Sequence, residues 1–91
     1  MIIRAISIRQ PFVELILQGR KTREYRSKPT NIRERVYLYA SLRPADWPEA
    51  WRQVGKQPGE LPTGAIVGSV EIVGCRVDGR TGGWAYVLKN P

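Results

Sequence analysis

Apolar residues recur along the chain with two spacings, which predict five strands and two helices. Alternating or continuous branched and aromatic residues predict strands at 2–8, 36–40, 64–77 and 84–88. A further strand is predicted at 21–26, between a helix stop and a polar loop. Phe12, Leu15 and Ile16 follow i, i+3, i+4 spacing, which predicts a first short helix with one apolar stripe. A second stripe predicts another helix, and its members are Trp47, Ala50, Trp51 and Val54. We expect Trp47 and Trp51, four residues apart, to pack in the core.

Residues that start or stop helices flank both stripes. Pro11 suits the first turn of the first helix, and Gly19 suits the left-handed position that ends it. Asp46 and Glu49 resemble a capping box at the start of the second helix, which Gly55 ends. The helices are therefore predicted to be short and to precede the longest strand.

Two glycines interrupt the longest predicted strand. Gly68 and Gly74 lie inside an otherwise branched run, where glycine commonly marks a bulge or a bend. We therefore predict an α+β domain with two short helices and a small, strongly curved, mostly antiparallel sheet, and the bends favour a barrel over a flat sheet.

Composition limits the chemistry and suggests a partner. The 91 residues suit a single domain, 1–91, and the net charge of +7, mostly from arginine, suits a polyanion as well as it suits a solubilising surface. With no histidine and only Cys75, we expect no disulfide, metal site or cofactor. Such a chain fits a reducing, cytoplasmic setting, and no apolar stretch is long enough to predict a membrane span.

One stretch, 19–26, concentrates the candidate chemistry. It follows the pattern G-x-K-x-x-E-x-R and places three charged groups at a helix-to-strand junction. Glu24 and Arg26 share one face of the predicted strand, and the long stem of Lys21 can reach over the same face. Two interpretations remain open at this point: an ion pair that holds a cleft wall, or a carboxylate and two cations that bind a ligand.

The residues 5–12 (A-I-S-I-R-Q-P-F), followed by 19–26, resemble the ASCH domain family, the activating signal cointegrator homology domains. Residues 39–41, 43–44, 64–68 and 83–88 fit the same resemblance, which spans nearly the whole chain. It implies a PUA-like β-barrel with a cleft between the barrel and the first helix. Relatives often continue with one more strand, so the resemblance implies that this domain lacks that strand or takes it from a partner.

The resemblance also implies a link to RNA. Some relatives are ribonucleases, and one branch hydrolyses the amide of N4-acetylcytidine with a threonine nucleophile. Here Glu24 occupies the position of that threonine, and Thr22 lies two residues earlier. The amidohydrolase activity is therefore not carried over directly.

Three functions follow as hypotheses. The first is an RNA- or nucleotide-binding domain whose ligand-binding residues are Arg9, Gln10, Lys21, Glu24, Arg26, Tyr39 and Ser41. The second is an enzyme on the same cleft, a ribonuclease or an N4-acetylcytidine-type amidohydrolase, with Lys21 as base and Glu24 as acid or orienting group. A serine–histidine nucleophile is excluded because the chain has no histidine. The third is a protein-interaction domain that forms a homodimer through the sheet edge near the C-terminus.

Overall fold

A computed structural model describes residues 3–91, which form five strands and two helices. Ile2, the first residue of the first predicted strand, lies outside the described residues. The elements, in chain order, are β1 (Ala5–Ile8), α1 (Phe12–Leu17), β2 (Arg23–Arg26), β3 (Arg35–Ala40), α2 (Pro48–Val54), β4 (Ala65–Val77) and β5 (Trp84–Lys89). All five predicted strands and both predicted helices are present, with shifted boundaries. The longer helix has 7 residues, and no helix within 3–91 has the length and hydropathy needed to cross a membrane.

The five strands form one mixed sheet with the order β1-β3-β4-β5-β2. β1 pairs with β3 in parallel, and the other three pairings are antiparallel. The sheet confirms the α+β prediction. Its edge strands, β1 and β2, do not pair with each other in the described part of the chain, so closure into a barrel is not confirmed.

The last strand is not an edge of this sheet. β5 pairs with β4 on one side and with β2 on the other. The sheet edge expected near the C-terminus is therefore covered by β2. The last strand, β5, inserts between β4 and β2, which both precede it in sequence. A homodimer stays a prediction, but it would have to use a different edge.

Two bulges bend β4 where glycines had predicted them. The pairing register with β3 shifts between Leu38 and Tyr39, beside Gly68, and the register with β5 shifts between Ile72 and Gly74. An extra residue at each bulge increases the local twist of the strand. The 13-residue β4 can therefore pair with β3 along its first part and with β5 along its second part.

The core lies between α1 and one face of the sheet. Val13 and Ile16 of α1 are buried against Leu38 and Val70 of the two central strands. The apolar stripe of α1 was predicted only in part, because Val13 is in the core whereas Phe12 is only half-buried. Phe12, the first residue of α1, is therefore packed against the core on one side and exposed on the other.

The second helix begins later than predicted. Trp47 occupies the N-cap with φ −143° and ψ 86°, no side chain caps the helix, and Pro48 is the first helical residue. The capping box expected from Asp46 was therefore wrong. The helix ends as predicted at Gly55, whose φ of 67° is left-handed.

The two tryptophans of this region have different environments. Trp51 is buried, and its indole N–H donates a 2.9 Å hydrogen bond to the carbonyl of Ala45. Trp47 is 60% exposed, so the expectation that both rings pack in the core was wrong for Trp47. Helical spacing places two residues on one face only if both are helical, and Trp47 has an extended backbone.

Candidate functional site

A carboxylate between two cations forms the centre of the site. The Glu24 Oε1 atom lies 3.7 Å from Lys21 Nζ, and Oε2 lies 3.6 Å from Arg26 Nε. The three side chains are only 13%, 18% and 33% exposed for Glu24, Lys21 and Arg26 respectively. We call these three residues the charged triad. An ion pair, one of the two interpretations of 19–26, is present in the structure, and the ligand-binding interpretation stays a prediction.

Strand geometry and a helix end bring the triad together. Glu24 and Arg26 are alternate residues of β2, so their side chains point to the same face. Gly19, with φ 76°, ends α1, and the backbone N–H of Lys21 donates to the carbonyl of Leu15. That hydrogen bond folds the connection back onto the helix and sets Lys21 beside β2.

Burial shifts the protonation of two triad members in opposite directions. Desolvation lowers the pKa of Lys21 below its ordinary value of 10.5, against the stabilising charge of Glu24. Desolvation raises the pKa of Glu24 above 4.5, and the charges of Lys21 and Arg26 oppose that rise. Burial thus favours the neutral form of each group, while the opposite charges beside it favour the charged form.

Aromatic rings surround the Lys21 ammonium group. Its Nζ lies 5.0 Å from the ring centroid of Tyr25 and 5.4 Å from that of Phe12. Both distances are within the range of cation–π attraction. The two rings replace part of the water that an exposed lysine would have, and they direct its ammonium group towards Glu24.

The triad lies in a cleft with two lobes, which we call the central cleft. Phe12, Glu24, Tyr25 and Trp47 border both lobes. The serine lobe, of about 510 Å³, is completed by Ser7, Ile8, Arg9, Arg26, Ser41, Ala45 and Asp46. The loop lobe, of about 740 Å³, is completed by Lys21, Arg23, Val77, Asp78, Arg80, Thr81 and Ala85. Glu24 therefore lies where the two lobes meet.

An ordered turn forms the outer wall of the loop lobe. Asp78 accepts hydrogen bonds from the Thr81 hydroxyl at 2.7 Å and from the backbone N–H of Arg80 at 3.2 Å. The Thr81 hydroxyl bond lowers the pKa of Asp78. The turn therefore holds the Arg80 backbone in place at the rim of the cleft.

The two edges of the sheet meet at the serine lobe. Arg26 Nη2 on β2 donates a 2.6 Å hydrogen bond to the backbone carbonyl of Ser7 on β1. The hydroxyls of Ser7 and Ser41 lie 2.7 Å apart, so Ser41 joins the same wall. Arg26 Nε is buried and has no hydrogen-bond partner within residues 3–91. Arg26 therefore links the two edge strands of the sheet and also borders the serine lobe.

Five of the seven predicted ligand-binding residues line this cleft, namely Arg9, Lys21, Glu24, Arg26 and Ser41. Gln10 and Tyr39 do not line either lobe. The Gln10 side chain is 1% exposed; its amide donates to the Pro62 carbonyl and accepts from the Glu14 N–H. Tyr39 is half-buried on β3, on the face opposite the buried Leu38 and Ala40.

Sequence reasoning missed the aromatic part of the cleft. Trp47 was expected in the core and Phe12 only in an apolar stripe, yet both border the two lobes, with ring centroids 6.2 Å apart at an interplanar angle of 79°. The sequence signal that could have identified Trp47 is Pro48, because the residue before proline avoids the helical region. Within 3–91 no group of three or more metal-ligating side chains is present.

The fold and the cleft together define a small α+β domain with a charged triad beside its first helix. The family model of the ASCH domain matches residues 6–85, so the chain belongs to the ASCH domain family. A search of the curated proteins finds no match.

Proposed function

We propose that this domain binds RNA, or a nucleotide, in the central cleft. The observation that carries the proposal is the position of Glu24, a largely buried carboxylate held between two cations where both lobes meet. A carboxylate accepts hydrogen bonds from the exocyclic amino groups of cytosine or adenine. Membership of the ASCH domain family is consistent with this function.

The charges that line the cleft favour a phosphate-bearing ligand. Five cationic side chains border the two lobes, against three carboxylates, and the cations are Arg9, Lys21, Arg23, Arg26 and Arg80. Arg9, Arg23 and Arg80 form no ion pair among the described residues. Arginine forks bind phosphate oxygens in pairs, so these three side chains are the proposed phosphate contacts.

A salt titration tests this proposal. We expect the affinity for short single-stranded RNA to fall steeply with salt, and Arg9→Ala, Arg23→Ala and Arg80→Ala each to reduce the log–log slope by about 0.7. Lys89→Ala is the charge-matched control, because Lys89 is exposed at the end of β5 and lines neither lobe. A salt-independent affinity, or equal slopes for all four variants, would refute the proposal.

The second candidate function is RNA cleavage on the same cleft. The observation that favours it is a largely buried amine and carboxylate 3.7 Å apart, Lys21 and Glu24, and burial moves their pKa values towards each other. The neutral Lys21 amine would take the proton of a ribose 2′-hydroxyl as its oxygen forms a bond to phosphorus. Protonated Glu24 would give a proton to the departing 5′-oxygen as the old P–O bond breaks. The products would be a 2′,3′-cyclic phosphate and a free 5′-hydroxyl.

Labelled RNA distinguishes an enzyme from a binding domain. If the domain is a ribonuclease, we expect Lys21→Ala to abolish cleavage while Lys89→Ala cleaves as wild type does. Equal turnover by wild type and Lys21→Ala would remove Lys21 from the mechanism. No turnover by wild type would leave binding as the function.

The structure gives less support to amide hydrolysis of N4-acetylcytidine. Thr22, the nearest serine or threonine hydroxyl in sequence to Glu24, is exposed and borders neither lobe. Release of acetate from N4-acetylcytidine is the assay for this activity. Thr22→Ala tests for a hydroxyl nucleophile. If wild type releases acetate and Thr22→Ala does not, Thr22 is required for the reaction.

The proposal includes closure of the sheet into a PUA-like barrel. Closure is supported by the hydrogen bond from Arg26 Nη2 to the Ser7 carbonyl, which brings the edges of β2 and β1 together.

We also propose a cytoplasmic location, in keeping with the single free Cys75. Imaging of a fluorescent fusion would test the location, and scattering at high concentration would test whether a homodimer forms.

A further inference from the structure

Trp47 combines high exposure with a tightly held backbone. The Trp47 carbonyl accepts a hydrogen bond from the N–H of Ala50 at 3.0 Å. Pro48 restricts the backbone of Trp47, the residue before it, to extended conformations. Ala45, two residues before Trp47, is held from both sides: its N–H donates to the Gln10 carbonyl at 2.8 Å, and its carbonyl accepts from the Trp51 indole N–H. An exposed ring on a rigid support loses little conformational entropy when a ligand stacks on it.

The Trp47 ring separates the central cleft from another groove. This α2 groove, of about 730 Å³, lies along the second helix and includes Trp47 among the residues that border it. Ala45 and Asp46 also border both the α2 groove and the serine lobe. The two depressions therefore lie on either side of one shared wall, formed by Ala45, Asp46 and the Trp47 ring.

The α2 groove is bordered by two cations, Arg52 and Lys56, and by two carboxylates, Asp46 and Glu60. Arg52 pairs with Glu49 at the surface, whereas Lys56 forms no ion pair among residues 3–91. A cation on one side of an exposed indole and the charged triad on the other match a ligand with alternating phosphates and planar bases.

We propose that a single RNA strand crosses from the central cleft into the α2 groove, with one base stacked on Trp47 and a following phosphate on Lys56. This inference rests on the proposed function and specifies its ligand as single-stranded RNA longer than one nucleotide. One base occupies the central cleft at Glu24, the next base stacks on Trp47, and the phosphate that follows lies on Lys56. A paired duplex does not fit this path, because its bases are not free to stack on a side chain.

The test compares binding of a mononucleotide with binding of ten-nucleotide homopolymers of adenylate, cytidylate and uridylate, single-stranded and as duplexes. We expect the best single strand to bind more tightly than both the mononucleotide and the duplex. Trp47→Ala should weaken that binding by about 5- to 150-fold, the range for loss of one base stack. Tyr37→Ala is the matched control, because Tyr37 is exposed on β3 and borders neither the cleft nor the α2 groove.

Two further readouts separate stacking from a general loss of structure. RNA should quench tryptophan fluorescence in wild type, and Trp47→Phe should keep most of the affinity while losing that quenching. Trp47→Ala should leave the salt slope unchanged, whereas Lys56→Ala should reduce it by about 0.7.

Each result has one meaning. If wild type binds RNA with a steep salt dependence and Trp47→Ala binds equally well, the inference is wrong and the proposed function stands. The same conclusion follows if Trp47→Phe retains the quenching, or if Trp47→Ala changes only self-association in light scattering. If wild type binds none of the RNAs, the proposed function is wrong and the inference is wrong with it.

Discussion

Two networks of carboxylate and arginine lie on this sheet, and they differ in their surroundings. In the charged triad, Glu24 is 13% exposed, and neither ion-pair contact is closer than 3.6 Å. On β3 and β4, Arg35 and Glu71 approach to 3.3 Å with side chains 45% and 39% exposed. The exposed pair has the closer contact, yet water screens its charges.

The hydrogen bonds differ in the same way. Arg35 donates to the Ser69 hydroxyl, to Glu71 and to the Asn90 carbonyl, so its guanidinium is well supplied with acceptors at the surface. Arg26 makes one hydrogen bond, to the Ser7 carbonyl, and its buried Nε has no partner within the described chain. Buried polar groups usually have partners, so an unsatisfied one calls for an explanation. Here the neighbouring Glu24 Oε2, 3.6 Å from Nε, compensates the charge of Arg26 without reaching hydrogen-bond distance.

The largest expected difference is between two arginine variants of equal charge. We expect Arg26→Ala to weaken RNA binding by about 10- to 150-fold, the equivalent of one charge-assisted hydrogen bond. Arg35→Ala should change the affinity by less than about twofold, since the pair it removes is exposed. Fluorescence anisotropy at fixed salt measures both affinities. Equal losses in the two variants would remove the distinction between the networks.

A smaller effect is expected from a glycine that touches the backbone of the triad strand. A Cβ on Gly83 would lie 2.6 Å from the carbonyl oxygen of Arg26, whereas one on Gly79 in the same turn would meet nothing within 4 Å. Gly83→Ala should therefore displace β2 and lower the free energy of unfolding by about 1–3 kcal/mol, with weaker RNA binding. Gly79→Ala is the matched control and should leave both nearly unchanged. Chemical denaturation checks the stability, and an unaffected Gly83→Ala protein would show that β2 tolerates the shift.

The smallest expected effect is on the pH dependence of stability. The pKa of Glu24 is raised above 4.5 by burial, so the folded protein holds this proton more tightly than the unfolded chain. The free energy of unfolding should therefore fall as the pH rises from 4.5 through the folded pKa. Glu24→Gln should lack this fall, while Glu71→Gln should keep it.

Urea denaturation at closely spaced pH values measures this difference. If Glu24→Gln and wild type gave the same pH profile, another group would be responsible for the titration. The size of the fall is limited because Lys21 and Arg26 offset part of the desolvation of Glu24.

Much of the fold could be predicted from local sequence signals. Gly19 and Gly55 end the helices with positive φ, and Gly68 and Gly74 lie at the bulges of β4, because each of these features depends on a few adjacent residues. The position of β5 between β4 and β2 was not predictable in this way, since strand order depends on contacts between distant residues. The expected free edge at the C-terminus failed for that reason.

The charged part of the site was predictable, and the aromatic part was not. Strand alternation placed Glu24 and Arg26 on one face, and the structure has them there. Trp47 was misplaced because a shift of the helix start by a few residues removes it from the helical face. Gln10 lines neither lobe, because its buried amide is bonded to the Pro62 carbonyl and the Glu14 N–H, and nothing local in the sequence indicates these distant contacts.

The most direct test of the central claim is to map short single-stranded RNA onto the protein by NMR chemical shifts. We predict that the resonances that move belong to the central cleft, including the Lys21 and Glu24 amides and the Trp47 indole N–H. Resonances of Arg35, Ser69 and Glu71 should stay in place. Shifts confined to those three residues, with the cleft unaffected at saturating RNA, would contradict the account.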